Sequence, residues 1–342
     1  MKKYFLLSFL LGITAFSVAQ EKTIKNVILL IPDGTSLATV SAARWYQRYI
    51  HPEQTSLKID PYICGTIFTY SSNAPIGDSA PTTSCYMTGY PSRAGFVATY
   101  PPADPKNDIF PMNVYEPYQP MITLMEAARM AQQKATGLVF TCEFPHATPA
   151  DCSAHSYDRE KYDRIIPQMV HNQLDVVIGG GVPWLVTKED STYFKYLKKN
   201  NYSVLTNDTS FQHDPANKMW ALFGGKNGMD YELDRNPAKQ PSLAEMTQVA
   251  INKLSQNPNG FVLMVEGSKV DWAAHANDAA AMFTEMIAFD KACGVALDFA
   301  ERNGETLIVI VPDHGNSGFS IGSPKCGDYH HTTKDELFGP IS

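Results

Sequence analysis

Three acidic side chains stand at the ends of short apolar runs that are rich in β-branched residues. They are Asp33, Glu266 and Asp313, and His314 adds an imidazole beside the last of them. Like carboxylates repel one another at short range, so gathering them at one place requires a counter-charge. Any one of these acids could simply begin a turn, but together they predict bound cations. Their mixture of oxygen and nitrogen donors suits zinc.

A fourth acid, Asp271, lies four residues before His275. On a helix this spacing puts both side chains on one face, where they can bind the same cation. A surface ion pair is the alternative that spacing alone leaves open.

A turn rich in small and hydroxyl residues at 77–83 supplies a candidate nucleophile, Ser79. The turn leads into a short helix that is predicted to end at Gly89. A serine at a helix start is most often only a cap. Here its neighbours indicate tight packing around a reactive group, and an alkoxide would be stabilised there by the helix dipole and by a metal ion.

The elements that must position these groups alternate along the chain. Five apolar runs are typical of buried parallel strands, at 26–31, 138–140, 176–178, 261–265 and 307–311. Helical stretches lie between them, at 121–132, 243–255 and 279–301. The alternation predicts an α/β fold, a three-layer sandwich with a large, mostly parallel central sheet. Ligands bind at the carboxyl ends of strands in such folds, where the acids described above stand.

Five blocks, in this order, resemble the alkaline phosphatase family. They are the Asp33 motif, Asp78-Ser79-Ala80, the stretch 147–150 followed by His155 and Arg159, the segment from Glu266 through Asp271 to His275, and Asp313-His314-Gly315. Each motif alone is weak, but five in order are specific. The resemblance covers roughly residues 24 to 320.

The resemblance implies hydrolysis of phosphate monoesters through a phosphoseryl intermediate on Ser79, with two Zn²⁺ ions and a third cation, usually Mg²⁺. One zinc would be held by Asp33, Asp313 and His314, and the other by Asp271, His275 and a further histidine. The third cation would be held by Asp33, Thr148 and Glu266. Arg159 would grip two phosphate oxygens with its planar fork.

The sequence departs from the family pattern beside the third cation. His146 and Trp272 stand where other members carry different pairs. The His146 imidazole could join the third site, which puts magnesium there in doubt, whereas Trp272 could be plain packing. The other histidines before the C-terminal stretch are interpreted as structural: His51, His155, His171 and His213.

The first 19 of the 342 residues contain Lys2 and Lys3, then an apolar stretch and then a small-residue cleavage site. This pattern predicts a signal peptide at 1–19. The rest of the chain, 20–342, is predicted to form one phosphatase domain. Removing the two lysines leaves 26 basic against 35 acidic side chains, a net charge near −9. This balance argues against nucleic acid as a partner. We expect a periplasmic or secreted protein with no membrane span after signal removal, small phosphate monoesters as substrates, and a homodimer from the family resemblance.

Alternative functions are a phosphodiesterase of the same superfamily and a non-catalytic exported protein that binds metal or phosphate. A sulfatase is disfavoured because the Ser79-Ala80-Pro81-Thr82-Thr83 stretch lacks the arginine of the sulfatase pattern. Arg159 favours a terminal phosphate over a diester, and a pure binder needs no nucleophile.

Two further expectations concern the cysteines and the C-terminal end. Cys142 and Cys152 are the nearest plausible disulfide pair, although small buried thiols are about as plausible. The family places its last zinc-binding histidine well beyond Asp313-His314, so the chain is predicted to lack its C-terminal part. His330 and His331 are the only later histidines.

Overall fold

The structure, a computed structural model, describes residues 23–187 and 191–322 together with 333, 335, 338 and 339. The predicted signal peptide lies outside the described residues, as do Cys326, His330 and His331. No helix within the described ranges has both the length and the apolar character that crossing a bilayer demands.

A seven-stranded sheet in which every pairing is parallel forms the centre of the fold, in the order β4-β5-β3-β2-β6-β1-β7. Its strands are β1 (Asn26–Pro32), β2 (Ala135–Glu143), β3 (Val176–Gly180), β4 (Ser203–Thr206), β5 (Met219–Phe223), β6 (Phe261–Gly267) and β7 (Thr306–Ile310). The five predicted strands are therefore confirmed. The sequence prediction missed β4, a four-residue edge strand, and β5, whose Met-Trp-Ala-Leu-Phe composition is not β-branched.

Helices cover both faces of the sheet. They are α1 (Leu37–Ile50), α2 (Ser79–Thr88), α3 (Leu124–Gln132), α4 (Ala147–Asp151), α5 (Tyr162–His171), α6 (Val182–Leu185), α7 (Thr192–Lys199), α8 (Leu243–Leu254), α9 (Lys269–His275) and α10 (Ala279–Asn303). The helix predicted at 121–132 begins only at Leu124, because Thr123 caps it and forms a reciprocal capping box with Glu126.

Two hydrophobic cores lie on opposite faces of the sheet, which confirms the three-layer sandwich. In β1, Ile28 and Leu30 belong to the core that includes α1, α8 and α10. Leu29 and Ile31 belong to the core that includes α2, α3 and α5. This alternation follows from the two-residue period of a strand, and it explains why the strand is apolar on both faces.

The central position of β1 brings three loops together at one edge of the sheet. β1 pairs with β6 on one side and with β7 on the other. Ile31 lies opposite Glu266, and Val311 donates its N–H to the Leu30 carbonyl at 3.1 Å. Because all three strands run in the same direction, the acidic residues at their ends meet at the carboxyl edge.

Candidate active site

The loop after β1 supplies the central carboxylate, Asp33, and a glycine that lets two others approach it. Asp33 is fully buried. Gly34 has a left-handed backbone (φ +61°), and its N–H donates to Asp313 Oδ1 at 3.0 Å. A Cβ on Gly34 would lie 2.3 Å from Asp271 Oδ1. The missing side chain at this position therefore makes room for the Asp271 carboxylate.

Ser79 is the first residue of α2, and its hydroxyl points into the acidic cluster. Its Oγ lies 3.3 Å from Asp33 Oδ1 and 3.3 Å from His314 Nε2, and the residue is 3% exposed. The helix cap is Asp78, which accepts the Ala80 N–H at 3.3 Å. Ser79 is consequently free of the capping role that a serine at a helix start usually has.

Asp271 and His275 share one face of α9, as their spacing predicts. His275 Nε2 lies 3.4 Å from Asp271 Oδ2, with the imidazole largely exposed and the carboxylate buried. Asn316 donates to Asp271 Oδ1 at 2.7 Å and fixes its orientation. This pair thus presents one buried and one solvent-facing donor.

The buried carboxyl groups raise one another's pKa. Burial raises the pKa of Asp33 well above its usual range, and the Asp313 and Asp271 carboxylates add to the effect. Burial also raises the pKa of Glu266 to about 7. Desolvation opposes protonation of His314, but the Asp313 and Asp271 carboxylates outweigh it and raise its pKa. These shifts reflect an excess of carboxylates over positively charged groups in the cluster, which bound cations would offset.

Several buried oxygen atoms of the cluster accept or donate no hydrogen bond among the described residues. They are Asp33 Oδ2, Thr148 Oγ1, Glu266 Oε1 and Asp313 Oδ2. Buried polar atoms without a partner are rare in folded proteins and require an explanation. Carboxylate and hydroxyl oxygens are ligands for divalent cations, so the donor set fits the metals that the sequence predicts. Asp33, Asp271 and His314 in addition each offer a ligand atom within 4.8 Å of the others.

Arg159 reaches the neighbourhood of Ser79 from a loop 80 residues further along the chain. Its Nη1 pairs with Asp78 Oδ1, and its Nη2 donates to His146 Nε2 at 3.0 Å. Its backbone N–H donates to the Gly95 carbonyl at 2.8 Å, which anchors the loop. The guanidinium is thus held against Asp78, the residue that precedes Ser79.

His146 and Trp272 lie side by side, with ring centroids 5.7 Å apart at 70°. Burial lowers the pKa of His146 well below its usual range, so the ring is neutral, and Arg159 adds to the effect. Lys269 Nζ sits 4.1 Å from the Trp272 ring centroid. Trp272 therefore packs between an imidazole and an ammonium group, which accounts for an aromatic residue at this position.

Three contacts were not foreseen from the sequence: Asp78 with Arg159, Asn316 with Asp271, and Cys142 with Glu266. The capping role of Asp78 could have been predicted from its position immediately before Ser79, because aspartate is a preferred helix cap. Cys142 and Cys152 are both buried and free, so the disulfide suggested from their spacing is wrong. The Cys142 thiol instead donates to Glu266 Oε2 at 3.4 Å.

The remaining histidines contact other parts of the fold. The His155 ring lies 2.9 Å from the Ala98 carbonyl and 3.2 Å from Glu126 Oε1. The His171 ring contacts Tyr196, with ring centroids 4.2 Å apart and ring planes tilted by 51°. His51 is paired with Glu53, and His213 ends a short 3₁₀ helix.

Sequence comparisons relate this chain to alkaline phosphatases. The family model described as alkaline phosphatase matches residues 24–336. Alkaline phosphatase 3 of Bacillus subtilis is 33% identical over 324 residues, which cover 89% of this chain and 65% of that protein. The human tissue-nonspecific isozyme is 30% identical over 337 residues, covering 85% of this chain and 63% of that protein. The chain thus spans slightly less than two thirds of the length of these relatives.

Solved structures agree with the sequence comparisons. The cold-active alkaline phosphatase of Shewanella sp. superposes with a TM-score of 0.76 at 29% identity, covering 89% of this chain and 71% of that one. A variant of the enzyme from the Antarctic bacterium TAB5, with a histidine changed to glutamate and magnesium bound in its M3 site, gives 0.74 at 28% identity, covering 89% and 82%. The resemblance predicted from the five motifs is confirmed, and this chain belongs to the alkaline phosphatase family.

Proposed function

We propose that this protein hydrolyses phosphate monoesters to an alcohol and inorganic phosphate, with Ser79 as the nucleophile. The observation that carries the proposal is the position of the Ser79 hydroxyl. It lies 3.3 Å from both Asp33 Oδ1 and His314 Nε2, at the start of a ten-residue helix, and family membership supports the same activity. The test is hydrolysis of an aryl phosphate by the zinc-loaded protein, with a chelated sample beside it.

The donor side chains of the site divide among three cations in this proposal. Asp33, Asp313 and His314 hold one zinc ion, while Asp271 and His275 hold the second. Asp33, Thr148 and Glu266 hold a third cation, and the magnesium of the TAB5 variant supports its presence in this kind of site. The cations supply positive charge that lowers the pKa of bound oxygen nucleophiles and neutralises phosphate oxygens.

The residues of this chain position the reacting groups. The Ser79 hydroxyl is directed at Asp33 Oδ1, and the amino end of α2 stabilises negative charge on its oxygen. The serine oxygen gives its proton to water and forms a bond to phosphorus as the ester oxygen departs, and the departing oxygen takes up a proton from water and leaves as the alcohol. A water molecule then attacks the phosphorus of the phosphoserine, a proton returns to the serine oxygen, and Ser79 and inorganic phosphate are released. Arg159 holds two phosphate oxygens through both steps.

A phosphodiesterase and a non-catalytic binder are the alternatives. They are separated by comparing the zinc-loaded protein on an aryl phosphate, an aryl phosphodiester and an aryl sulfate. We expect the monoester to be preferred, because a terminal phosphate has more free oxygens than a diester for Arg159 and the cations to hold. Binding of phosphate without turnover of any of the three would favour the binder.

We also propose that the protein is exported to the periplasm or secreted and acts on small phosphate esters as a homodimer. The acidic composition supports the absence of a nucleic-acid partner. Cell fractionation and the mass of the purified protein in solution test these points.

Replacing Arg159 with alanine should weaken inhibition by inorganic phosphate by roughly 10- to 100-fold, because one charge-assisted hydrogen bond contributes about 1.5–3 kcal/mol. Zinc content should not change, since no metal donor is removed. The measurement is the inhibition constant of phosphate, with Arg164→Ala as a matched control. Arg164 stacks on Tyr157 at 5.1 Å, and its loss should leave that constant unaltered. Unchanged inhibition in Arg159→Ala would place the guanidinium outside the phosphate site.

Chelation should destabilise the protein more as the pH rises. Glu266 has a folded pKa of about 7 and Asp33 one well above its usual range, against about 4 when unfolded. A carboxyl group with a raised folded pKa makes the metal-free protein lose stability as pH rises from about 4 to about 7. Bound zinc removes this penalty by pairing with the carboxylates. The difference in Tm between loaded and chelated protein should therefore grow across that window, and a constant difference would contradict the cation assignment.

A further inference from the structure

A buried thiol lies beside the third cation's ligands, and the mechanism proposed above makes no use of it. Cys142, in the buried strand β2, has no solvent exposure, and neither has Glu266. Cys142 Sγ is 3.4 Å from Glu266 Oε2. The sulfur, a carboxylate oxygen of Glu266 and a ring nitrogen of His146 all lie within 4.8 Å of one another, as the ligands of a single ion do.

The backbone fixes the position of this thiol. Ser268 Oγ, just before α9, accepts the N–H groups of Thr141 and Cys142 at 3.2 and 3.1 Å. The two hydrogen bonds tie β2 to the segment that carries Glu266. The sulfur consequently faces the carboxylate because the main chain holds it there.

A second observation indicates a missing ligand at this place. Glu266 Oε1 and Thr148 Oγ1 are buried and have no hydrogen-bond partner within the described ranges. Both residues have no solvent exposure. Ordinary side-chain packing would account for a buried thiol next to one carboxylate oxygen. It would not explain why Glu266 Oε1 and Thr148 Oγ1 are buried without a partner among the described residues.

We propose that Cys142 binds the third cation as a thiolate, next to Glu266 and Thr148, and that the site consequently selects zinc over magnesium. The inference rests on the proposed function, which places a cation there. On binding, the thiol proton passes to solvent and the sulfur forms the metal bond. Thiolate is a soft donor that zinc accepts and magnesium does not. His146 is not required, because Arg159 already donates to its Nε2.

X-ray absorption at the zinc edge tests the proposal on the full chain, loaded with zinc in the presence of excess magnesium. Zinc–sulfur bonds are about 2.3 Å long and separate clearly from zinc–oxygen and zinc–nitrogen bonds of about 2.0–2.2 Å. We expect a zinc–sulfur shell whose intensity corresponds to one sulfur ligand averaged over all the zinc ions bound to the chain. Cys142→Ala should remove the shell and lower the zinc content by one ion per chain. Cys293→Ala, which removes a buried thiol in the opposite core, should leave both unchanged.

A second measurement covers the case in which Cys142→Ala does not fold. Cobalt-loaded wild-type protein should show sulfur-to-cobalt charge-transfer absorption in the near ultraviolet, and the isosteric Cys142→Ser variant should lack it. Absence of the band and of the zinc–sulfur shell in the wild type overturns the proposal, as does a shell that persists in Cys142→Ser. Aryl phosphate hydrolysis is scored separately. A protein with the sulfur ligand but without turnover would support this inference while contradicting the proposed function.

Discussion

Ser79→Ala should abolish aryl phosphate turnover, with a loss of about 10³- to 10⁶-fold, because alanine removes the attacking oxygen. The fold should survive. Asp78, not Ser79, caps α2, so alanine removes only the contacts of Oγ with Asp33 and His314, a loss of about 1 kcal/mol in the free energy of unfolding. Steady-state hydrolysis, zinc content and thermal unfolding are the measurements.

The site of covalent labelling decides whether Ser79 is the nucleophile. Wild-type protein quenched during turnover should carry phosphate on Ser79, as peptide mass spectrometry would show. Thr88→Ala is the matched control, because Thr88 offers a hydroxyl on the same helix that donates to the Ser84 carbonyl. That variant should keep its turnover and its label. Phosphate trapped on any residue other than Ser79 would refute the assignment.

The meeting of the acidic residues at the strand ends could be predicted from the sequence, because parallel strands all end at the same edge of their sheet. Asp33, Glu266 and Asp313 each stand at the end of an apolar run, and strands of one direction deliver such residues to one edge. The i, i+4 spacing of Asp271 and His275 is likewise a local property that survives folding, and the structure brings the pair to 3.4 Å. These residues could therefore be predicted without knowing how distant segments pack together.

Contacts that join distant segments could not be predicted in this way. Arg159 meets Asp78 across 81 residues, and Cys142 meets Glu266 across 124. Neither spacing carries a periodic signal. The contact of Cys142 with Glu266 depends on how β2 and β6 lie next to each other in the sheet. Cysteine also has several plausible fates, so the sequence left a Cys142–Cys152 disulfide and two buried thiols about equally plausible, and the fold has the buried thiols. The weak strands β4 and β5 were missed because short or Met- and Ala-containing runs resemble helical segments.

Gly34→Ala should cost most of the activity although it adds only a single methyl group and removes no functional group. The new Cβ would lie 2.3 Å from Asp271 Oδ1 and 2.8 Å from its Cα, so a backbone segment as well as a carboxylate must shift. The left-handed backbone of Gly34 adds a strain of about 1–2 kcal/mol. Displacing a ligand by about 1 Å can lower turnover about 100-fold, and we expect at least that loss.

Gly89→Ala separates the effect of backbone strain from the effect of the clash with Asp271. Gly89 also has a left-handed backbone (φ +75°), at the end of α2, but a Cβ there meets no atom within 4 Å. Its variant should therefore lose about 1–2 kcal/mol of unfolding free energy and keep its zinc content and turnover. Gly34→Ala should lose similar stability but also bind less zinc, because Asp271 is displaced from its place beside Asp33. If zinc content and turnover were the same in both alanine variants, the space left by Gly34 would not be what positions Asp271, and the assignment of that carboxylate to the metal centre would fail.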